Sequence, residues 1–505
     1  MITSRGLLGR TSTFVGVALL PLTLLREARA DEPPLADEPR AATAAPPDTP
    51  PGPAPTAPSP DTATTKGPLG VGSAAPLPVR PPAIPDAIPY APRGPQPFAF
   101  ADFSWAPASY GSSEHPLQWG PFTGELRVDT AYHFSFNRPK DNTLSGSSEV
   151  FRHNELQLTQ LGVGGDFYYK GVHARLMTQF GMYAMTTPRN DASPGRGQWR
   201  LDDAYRYISE AYGGYHVDAL RGINVQAGIF MSYIGLWSYY NFDNWTYQPS
   251  YVSSNTPWFF NGARVQVFPT EKLKLELWLV NGWQSYGKFN EAPGVGLQTR
   301  WAPNGDIVFI GNQYVGTDTL GVADRKRIHT DDSVAIKYFQ RKGAGFSKGA
   351  ASVTLDAGCE FGGDVTCGDQ YFLGFMVYHR AWFAGDHLGL TVGGGAMTNP
   401  GRYLVLLPPV NGATASSGTP YFTAAPGDRY SAWDMQVAAD VMPRDWITFR
   451  LEWNHRAASV PYFSGREGLT PPGGNQGSPG SAVPGWAPDL VKSEDRLTAA
   501  VMVKL

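Results

Sequence analysis

The nine histidines of this 505-residue chain are the natural place to look for acid–base or metal chemistry, and they are scattered. His153, His173, His216, His379 and His455 each stand singly in strand-like sequence with no spaced partner, the pattern of wall or interface side chains rather than ligands. The pairs Asp202-Asp203 and Asp331-Asp332 are not spaced like calcium loops. Glycines at 164–165, 213–214 and 393–395 lie inside strand-like runs, not ahead of a helix. They read as bends or close approaches, not as a phosphate cradle. No serine and histidine are singled out as a hydrolytic pair. The residues therefore predict no catalytic set, no metal and no cofactor. What remains is charge in alternation with apolar residues. Arg127, Asp129, Arg175, Arg264, Lys274, Glu276, Arg300, Lys337, Asp434, Arg450 and Glu452 each fall on the polar face of such a run. Acids and bases facing one another across a water-filled space set up a transverse field that orders solutes, so the chemistry these residues offer is selectivity.

The elements that would position them are strands. In Asn261–Trp283, Leu273, Leu275, Leu277 and Leu279 alternate with Lys274, Glu276 and Trp278, and Val265 and Val267 alternate with Arg264 and Gln266. Successive strand side chains point to opposite faces, so this is a hairpin with one apolar and one polar face, its turn punctuated by Pro269 and Thr270. Similar runs cover 124–136, 154–169, 172–184, 204–217, 223–231, 295–301, 306–315, 331–341, 350–357, 370–380, 388–397, 429–441, 446–455 and 495–505, giving about sixteen strands. Short and long connections alternate along them. That is the pattern of brief periplasmic turns and larger external loops in outer-membrane barrels, and a soluble sandwich gives no reason for it.

The polar face must then line a lumen. Ile447, Phe449, Leu451 and Trp453 would face lipid while Thr448, Arg450, Glu452 and Asn454 face inward. Trp433, Met435 and Val437 would likewise oppose Asp434, Gln436 and Asp440. The reverse would put ionised groups into hydrocarbon at roughly 2–4 kcal/mol for each Arg or Lys at the midplane. Tyr132, Trp301, Trp433 and Trp446 near strand ends suit the interfacial girdles. Sixteen to eighteen strands enclose an aqueous channel.

Composition agrees. Charged residues are 17% and aromatics 13%, low and high for a soluble protein, and the net charge of −3 gives no electrostatic case for nucleic acid. Beyond the N-terminus no apolar run reaches the roughly 18 residues of a membrane helix, so a membrane protein here has to be a barrel. Residues 1–30 read as a secretory signal, with Arg5 and Arg10, an apolar stretch from Thr11 to Leu25, and Ala28-Arg29-Ala30 before a mature start at Asp31. Residues 31–97 hold 21 of the 45 prolines among Ala, Thr, Gly and Ser, without apolar periodicity. They read as a disordered Pro/Ala-rich segment, a linker or a tether reaching about 200 Å toward peptidoglycan if fully extended. Residues 98–121 form a transition segment whose aromatics suggest packing, and 122–505 the barrel. Cys359 and Cys367 are the two cysteines, and in an oxidising compartment they predict a local disulfide worth about 2.5 kcal/mol.

Four stretches carry a family resemblance: GELRVDTAYHFSFNRP, NELQLTQLGVGGDFYYKGVHARLMTQFG, GIFMSYIGLWSYYN through SSNTPWFFNGARVQVFPTEKLKLELWLVNGW, and ITFRLEWNHRAASVPYFSG. Together they make the chain resemble the OmpL-like β-barrel porins of bacterial outer membranes over most of 122–505. The expected function is passive diffusion of small hydrophilic solutes, sugars among them, through a barrel set in outer-membrane lipid, with a homotrimer as the common porin assembly. Ser232–Phe260 holds eleven aromatics and one charge, Asp243. Trp237, Tyr239, Tyr240, Asp243, Trp245 and Tyr247 would form a constriction if it folds inward, or a cap if it folds over the rim. The alternative function is a structural or adhesive barrel whose loops bind a surface partner. An open lumen would favour transport and a plugged one a scaffold.

Overall fold

The computed structural model describes residues 97–109, 116–144, 146–147, 149–400, 403, 429–469 and 489–505. The signal segment and nearly all of the proline-rich arm lie outside the described residues, as do most of 398–428 and 470–488.

A two-residue strand β1 (Gln118–Trp119) folds back on β2 (Phe122–Ser135). The wall then runs through β3 (Glu155–Tyr169), β4 (Val172–Thr178), β5 (Ile208–Val217), β6 (Ile223–Met231), β7 (Phe259–Thr270), β8 (Leu273–Val280) and β9 (Gly294–Asn304). It continues through β10 (Ile307–Gly316), β11 (Lys326–Gln340), β12 (Phe346–Phe361), β13 (Tyr371–Phe383), β14 (Leu388–Thr398), β15 (Ser431–Arg444), β16 (Ile447–Ala458) and β17 (Ser493–Lys504). Each strand pairs antiparallel with the next, and β17 pairs with β2 from Arg496↔Ser135 to Lys504↔Arg127. Leu126 and Leu505 exchange backbone hydrogen bonds at 3.0 and 2.9 Å at the seam. Strands β2–β17 are thus a closed antiparallel barrel of sixteen strands, with no free sheet edge.

The period of two decides what faces where. Leu275, Leu277 and Leu279 are exposed outside while Glu276 and Trp278 are buried inside. In β16, Phe449 and Leu451 face out and Thr448, Arg450, Glu452 and Asn454 face in; β15 likewise sets Trp433 and Met435 against Asp434, Gln436 and Asp440. The outside is an apolar band and the charges are inside, the arrangement that lipid requires. At Gly394 in β14 a Cβ would stand 2.1 Å from the Asp434 carbonyl oxygen, so that glycine marks a close backbone approach.

Several sequence boundaries move. The strand expected over 172–184 stops at Thr178: Gly181 takes φ +96° and Tyr183–Thr186 turns into a short helix. The strand expected from 204 begins at Ile208, after the helix Leu201–Tyr205. Pro269 is not in the turn. It lies within β7 beside a register shift between Val267 and Thr270, where a missing N–H is tolerated, and the turn is Glu271-Lys272. Strands β11 and β12 extend well past 331–341 and 350–357, because ladder pairing continues through polar residues such as Lys326 and Arg327. Cys359 and Cys367 are joined in a disulfide with Cα atoms 5.0 Å apart.

Candidate functional site: the barrel interior

Two of the described segments enter the lumen. The first is the connection from β6 to β7. It leaves Met231 and returns at Phe259, both at the long-loop end, yet its tip comes down close to the short turns. There Asp243 accepts from Lys504 Nζ at 3.0 Å and from Arg127 Nη1 at 3.0 Å, one residue of each of the first and last barrel strands. Trp245 packs edge-on against Trp382, near the β13–β14 turn.

The wall strands β13–β17 and β2 hold this connection by its backbone. Glu452 accepts from the N–H of Tyr247 at 2.6 Å and of Gln248 at 3.1 Å. Asp434 accepts from the Ser250 hydroxyl at 2.9 Å and the Tyr251 N–H at 2.7 Å. Arg450 donates to the Asn244 carbonyl at 2.8 Å, Arg380 to that of Trp245 at 3.1 Å, and Arg456 to that of Pro249 at 2.7 Å. Arg380 and Arg450 share Asp440 at 2.7 and 2.6 Å. Asp129 accepts from Asn241 Nδ2 at 2.8 Å. A connection with one charge of its own carries many backbone polar groups into the interior, and the wall supplies the charged partners that burial demands.

The second segment is Pro97–Ser109, at the short-turn end. The Phe98 N–H donates to the Glu271 carbonyl at 2.8 Å and Trp105 Nε1 to the Gly305 carbonyl at 3.1 Å, both in short turns. The two segments meet: Trp245 Nε1 donates to the Trp105 carbonyl at 3.1 Å, and the Ala108 N–H to the Asp243 carbonyl at 3.0 Å. Phe103, Trp105, Trp237, Trp245 and Trp382 are buried in one aromatic cluster.

The sequence-derived residues fall into two sets. Arg127, Asp129, Asp434, Arg450 and Glu452 face the interior and are bound to the β6–β7 connection. Trp237, Tyr239, Tyr240, Asp243, Trp245 and Tyr247 of that connection are all buried within the barrel. The other set lies on β4 to β11, where Arg264, Lys274, Glu276 and Arg300 line two cavities and Arg175 and Lys337 do not. Arg175 is enclosed by Glu125 at 2.9 Å, Asp166 at 2.7 Å and Glu210 at 3.0 Å. Lys274 pairs with Glu276 at 2.6 Å, and Lys337 with Asp306 at 3.2 Å. Arg264 lies over the rings of Tyr212, Phe230 and Trp278, its guanidinium carbon 4.6–5.1 Å from their centroids. Arg300 lies over Phe98 and Phe103 at 5.1 and 5.9 Å. A cavity of about 240 Å³ opens between Ser232–Trp237 and the wall residues Gln298, Arg300, Val308 and Ile310. A second of about 170 Å³ adjoins it through Ser232, Tyr233 and Gln298, and is lined by Arg264, Lys274 and Glu276.

The histidines singled out in the sequence are engaged one at a time: His173 with Gln226, His216 with Asn224, His379 with Tyr338, His455 with Asp495, and His153 with the Ser135 N–H. Among the described residues no group of three or more His, Cys, Asp or Glu is placed to hold a metal. Sequence reasoning missed Arg380 and Arg456, which hold the connection, and Glu125 and Glu210, which neutralise Arg175. At Arg380 and Glu210 the alternation itself breaks, because the neighbours Ala381 and Ser209 are buried too.

A closed antiparallel barrel of sixteen strands, apolar toward lipid and charged within, is the architecture of a membrane-spanning barrel, and the family match places it in the bacterial outer membrane and supports a porin channel. Residues 121–346 match the model of the family described as "Putative beta-barrel porin-2, OmpL-like", and over those residues the resemblance read from the sequence is borne out. No curated protein matches the chain. Solved structures it is similar to include an anion-selective porin from Comamonas acidovorans (10% identity, 76% of this chain and 99% of that one, TM-score 0.45). Others are the outer membrane channel DcaP of Acinetobacter baumannii (10%, 76% and 97%, 0.44) and OmpT of Vibrio cholerae (9%, 77% and 99%, 0.42). With TM-scores below 0.5 these likenesses add nothing to the strand pairing described above.

Proposed function

We propose that this porin passes small hydrophilic solutes, sugars among them, by passive diffusion along the wall of β4–β10, beside the inserted β6–β7 connection. The observation that carries this is the pair of adjoining cavities between that connection and a wall of charged and amide side chains. Trp237, Tyr239, Tyr240, Asp243, Trp245 and Tyr247 act as the constriction. Arg175, Arg264, Lys274, Glu276, Arg300 and Lys337 set preference along the path, while Arg127, Asp129, Asp434, Arg450 and Glu452 hold the constriction in place. Pro97–Ser109 is a stopper at the short-turn, periplasmic end and yields when solute passes. Residues 1–30 act as a signal peptide, 31–97 as a linker or a tether to peptidoglycan, 98–121 as a transition segment, and 122–505 as the barrel. The barrel assembles as a homotrimer, which crosslinking in native membranes would report as a threefold species. Liposome swelling tests the channel: vesicles carrying the refolded full chain should swell in pentoses and hexoses and slow with solute size. Vesicles that swell no faster than empty ones would reject it.

A second reading, a structural or adhesive barrel, is favoured by one specific observation. The aromatic cluster joining Trp105, Trp237, Trp245 and Trp382 is buried inside the lumen toward its short-turn end. A filled interior suits a scaffold whose long loops bind a surface partner.

A further inference from the structure

Arg300 is a charge without a match. It sits on β9 facing inward, and among the described residues no hydrogen bond or ion pair joins its guanidinium, whose Nε is fully buried without a partner. Glu149 lines the same cavity and accepts from Gln248 Nε2 at 3.2 Å, and the carboxylates nearer Arg300 on the wall are committed elsewhere. Glu276 takes Lys274, Gln266 and the Trp278 indole; Glu210 takes Arg175 and Tyr240. Arg264, the next cation, has Gln226 as its hydrogen-bond acceptor and no carboxylate. Stacking on Phe98 and Phe103 offsets part of the cost of withdrawing the Arg300 guanidinium from water, but it satisfies none of its in-plane donors. A half-buried cation whose Nε is fully buried and unpartnered is satisfied by an anion that fits beside it.

The cavity that Arg300 lines sets the class of that anion. Its volume of about 240 Å³ admits one small molecule, since a dry cavity of about 150 Å³ holds benzene. Tyr233, Trp237, Ser232 and Gln298 line it beside Arg300. Aromatic faces suit the C–H side of a polyol, hydroxyl and amide groups suit its oxygens, and a planar guanidinium suits a carboxylate bidentately. We propose that this cavity is a binding site for a small polyhydroxy carboxylate, a sugar acid, anchored by Arg300 with Arg264 as the second cation. The site deepens the channel reading given above and rests on it only for the route by which solute arrives.

The test is calorimetric titration of the refolded full chain in detergent with sodium gluconate and, separately, with glucose. Gluconate should bind and glucose should bind roughly tenfold more weakly or not at all, the loss expected when one charged hydrogen-bonding pair is missing. Arg300→Gln should weaken gluconate about tenfold and leave glucose unmoved, and Arg300→Lys, which keeps the charge and loses the fork, should fall between. The guanidinium gives up no hydrogen bond within the protein, so Arg300→Gln should keep the folded barrel's heat-modifiable migration. Should that variant not fold, Arg300→Lys with the gluconate–glucose pair carries the test. Equal affinity for gluconate and glucose, no gluconate binding, or undiminished gluconate binding by a folded variant would each overturn the site. Failure of the channel looks different: gluconate binding persists in a barrel that passes no solute.

Discussion

Glu452 is where the inserted connection can be loosened at one atom pair. Its two carboxylate oxygens receive the N–H groups of Tyr247 and Gln248 at 2.6 and 3.1 Å, and all three residues are buried. Hydrogen bonds to a charged group contribute about 1.5–3 kcal/mol each, so removing both by Glu452→Ala should weaken the local seating by about 3–6 kcal/mol. The lower figure already multiplies the opened population more than a hundredfold, at about 1.4 kcal/mol per factor of ten. The barrel wall should persist, because the β15–β16 and β16–β17 ladders are backbone-paired. Hydrogen exchange should therefore show the Tyr247 and Gln248 amides losing at least about a hundredfold in protection, with the amides of Leu451 and Trp453 unmoved. Glu452→Gln keeps one acceptor oxygen and should fall between. Unchanged protection at 247–248 in a folded Glu452→Ala barrel would refute the claim that this carboxylate holds the connection. Loosening of the β16 ladder itself would refute the claim that the effect is local.

The outward face makes a separate prediction. Leu277→Arg, on the lipid side of β8, should lower unfolding stability in vesicles by roughly 2–4 kcal/mol if it lies at the midplane, read from the denaturant midpoint; no loss would put that face away from lipid. Replacing both Cys359 and Cys367 by Ser should cost about 2.5 kcal/mol in the same assay, with faster amide exchange confined to 360–370. Deleting Tyr239–Tyr251 removes the tip of the inserted connection and should raise single-channel conductance; an unchanged conductance would exclude it as the constriction.

Alternation over Leu273–Leu279 and Ile447–Asn454 was legible because lipid and lumen impose opposite polarities on neighbouring residues, and the register follows from that alone. Turn positions were less legible. Pro269 reads as a turn residue but sits at a bulge, since its fit depends on the facing β8 ladder. The polar start of β11, Lys326-Arg327, gives no apolar signal on its own, and only the facing strand explains it: Arg327 pairs with Glu360. The aromatic richness of 232–260 marked it as a packing segment, but inward and outward folding were equal on sequence grounds. The partners that decide, Glu452, Asp434 and Arg380, lie more than a hundred residues away in the chain. Phe98–Trp105 likewise announced packing without naming its partner, which turned out to be the short turns and the tip of the connection.

On the channel reading, Pro97–Ser109 stops the barrel from its short-turn end, and planar-bilayer conductance of the full chain against a variant with Phe98, Phe103 and Trp105 all changed to Ser tests it. Those three aromatics fill the short-turn end, Phe103 and Trp105 within the buried cluster and Phe98 packed against it. The full chain should give small or infrequent steps and the variant larger, steady ohmic ones. Silence from both, in barrels shown to be folded, would contradict it and leave the scaffold reading in its place.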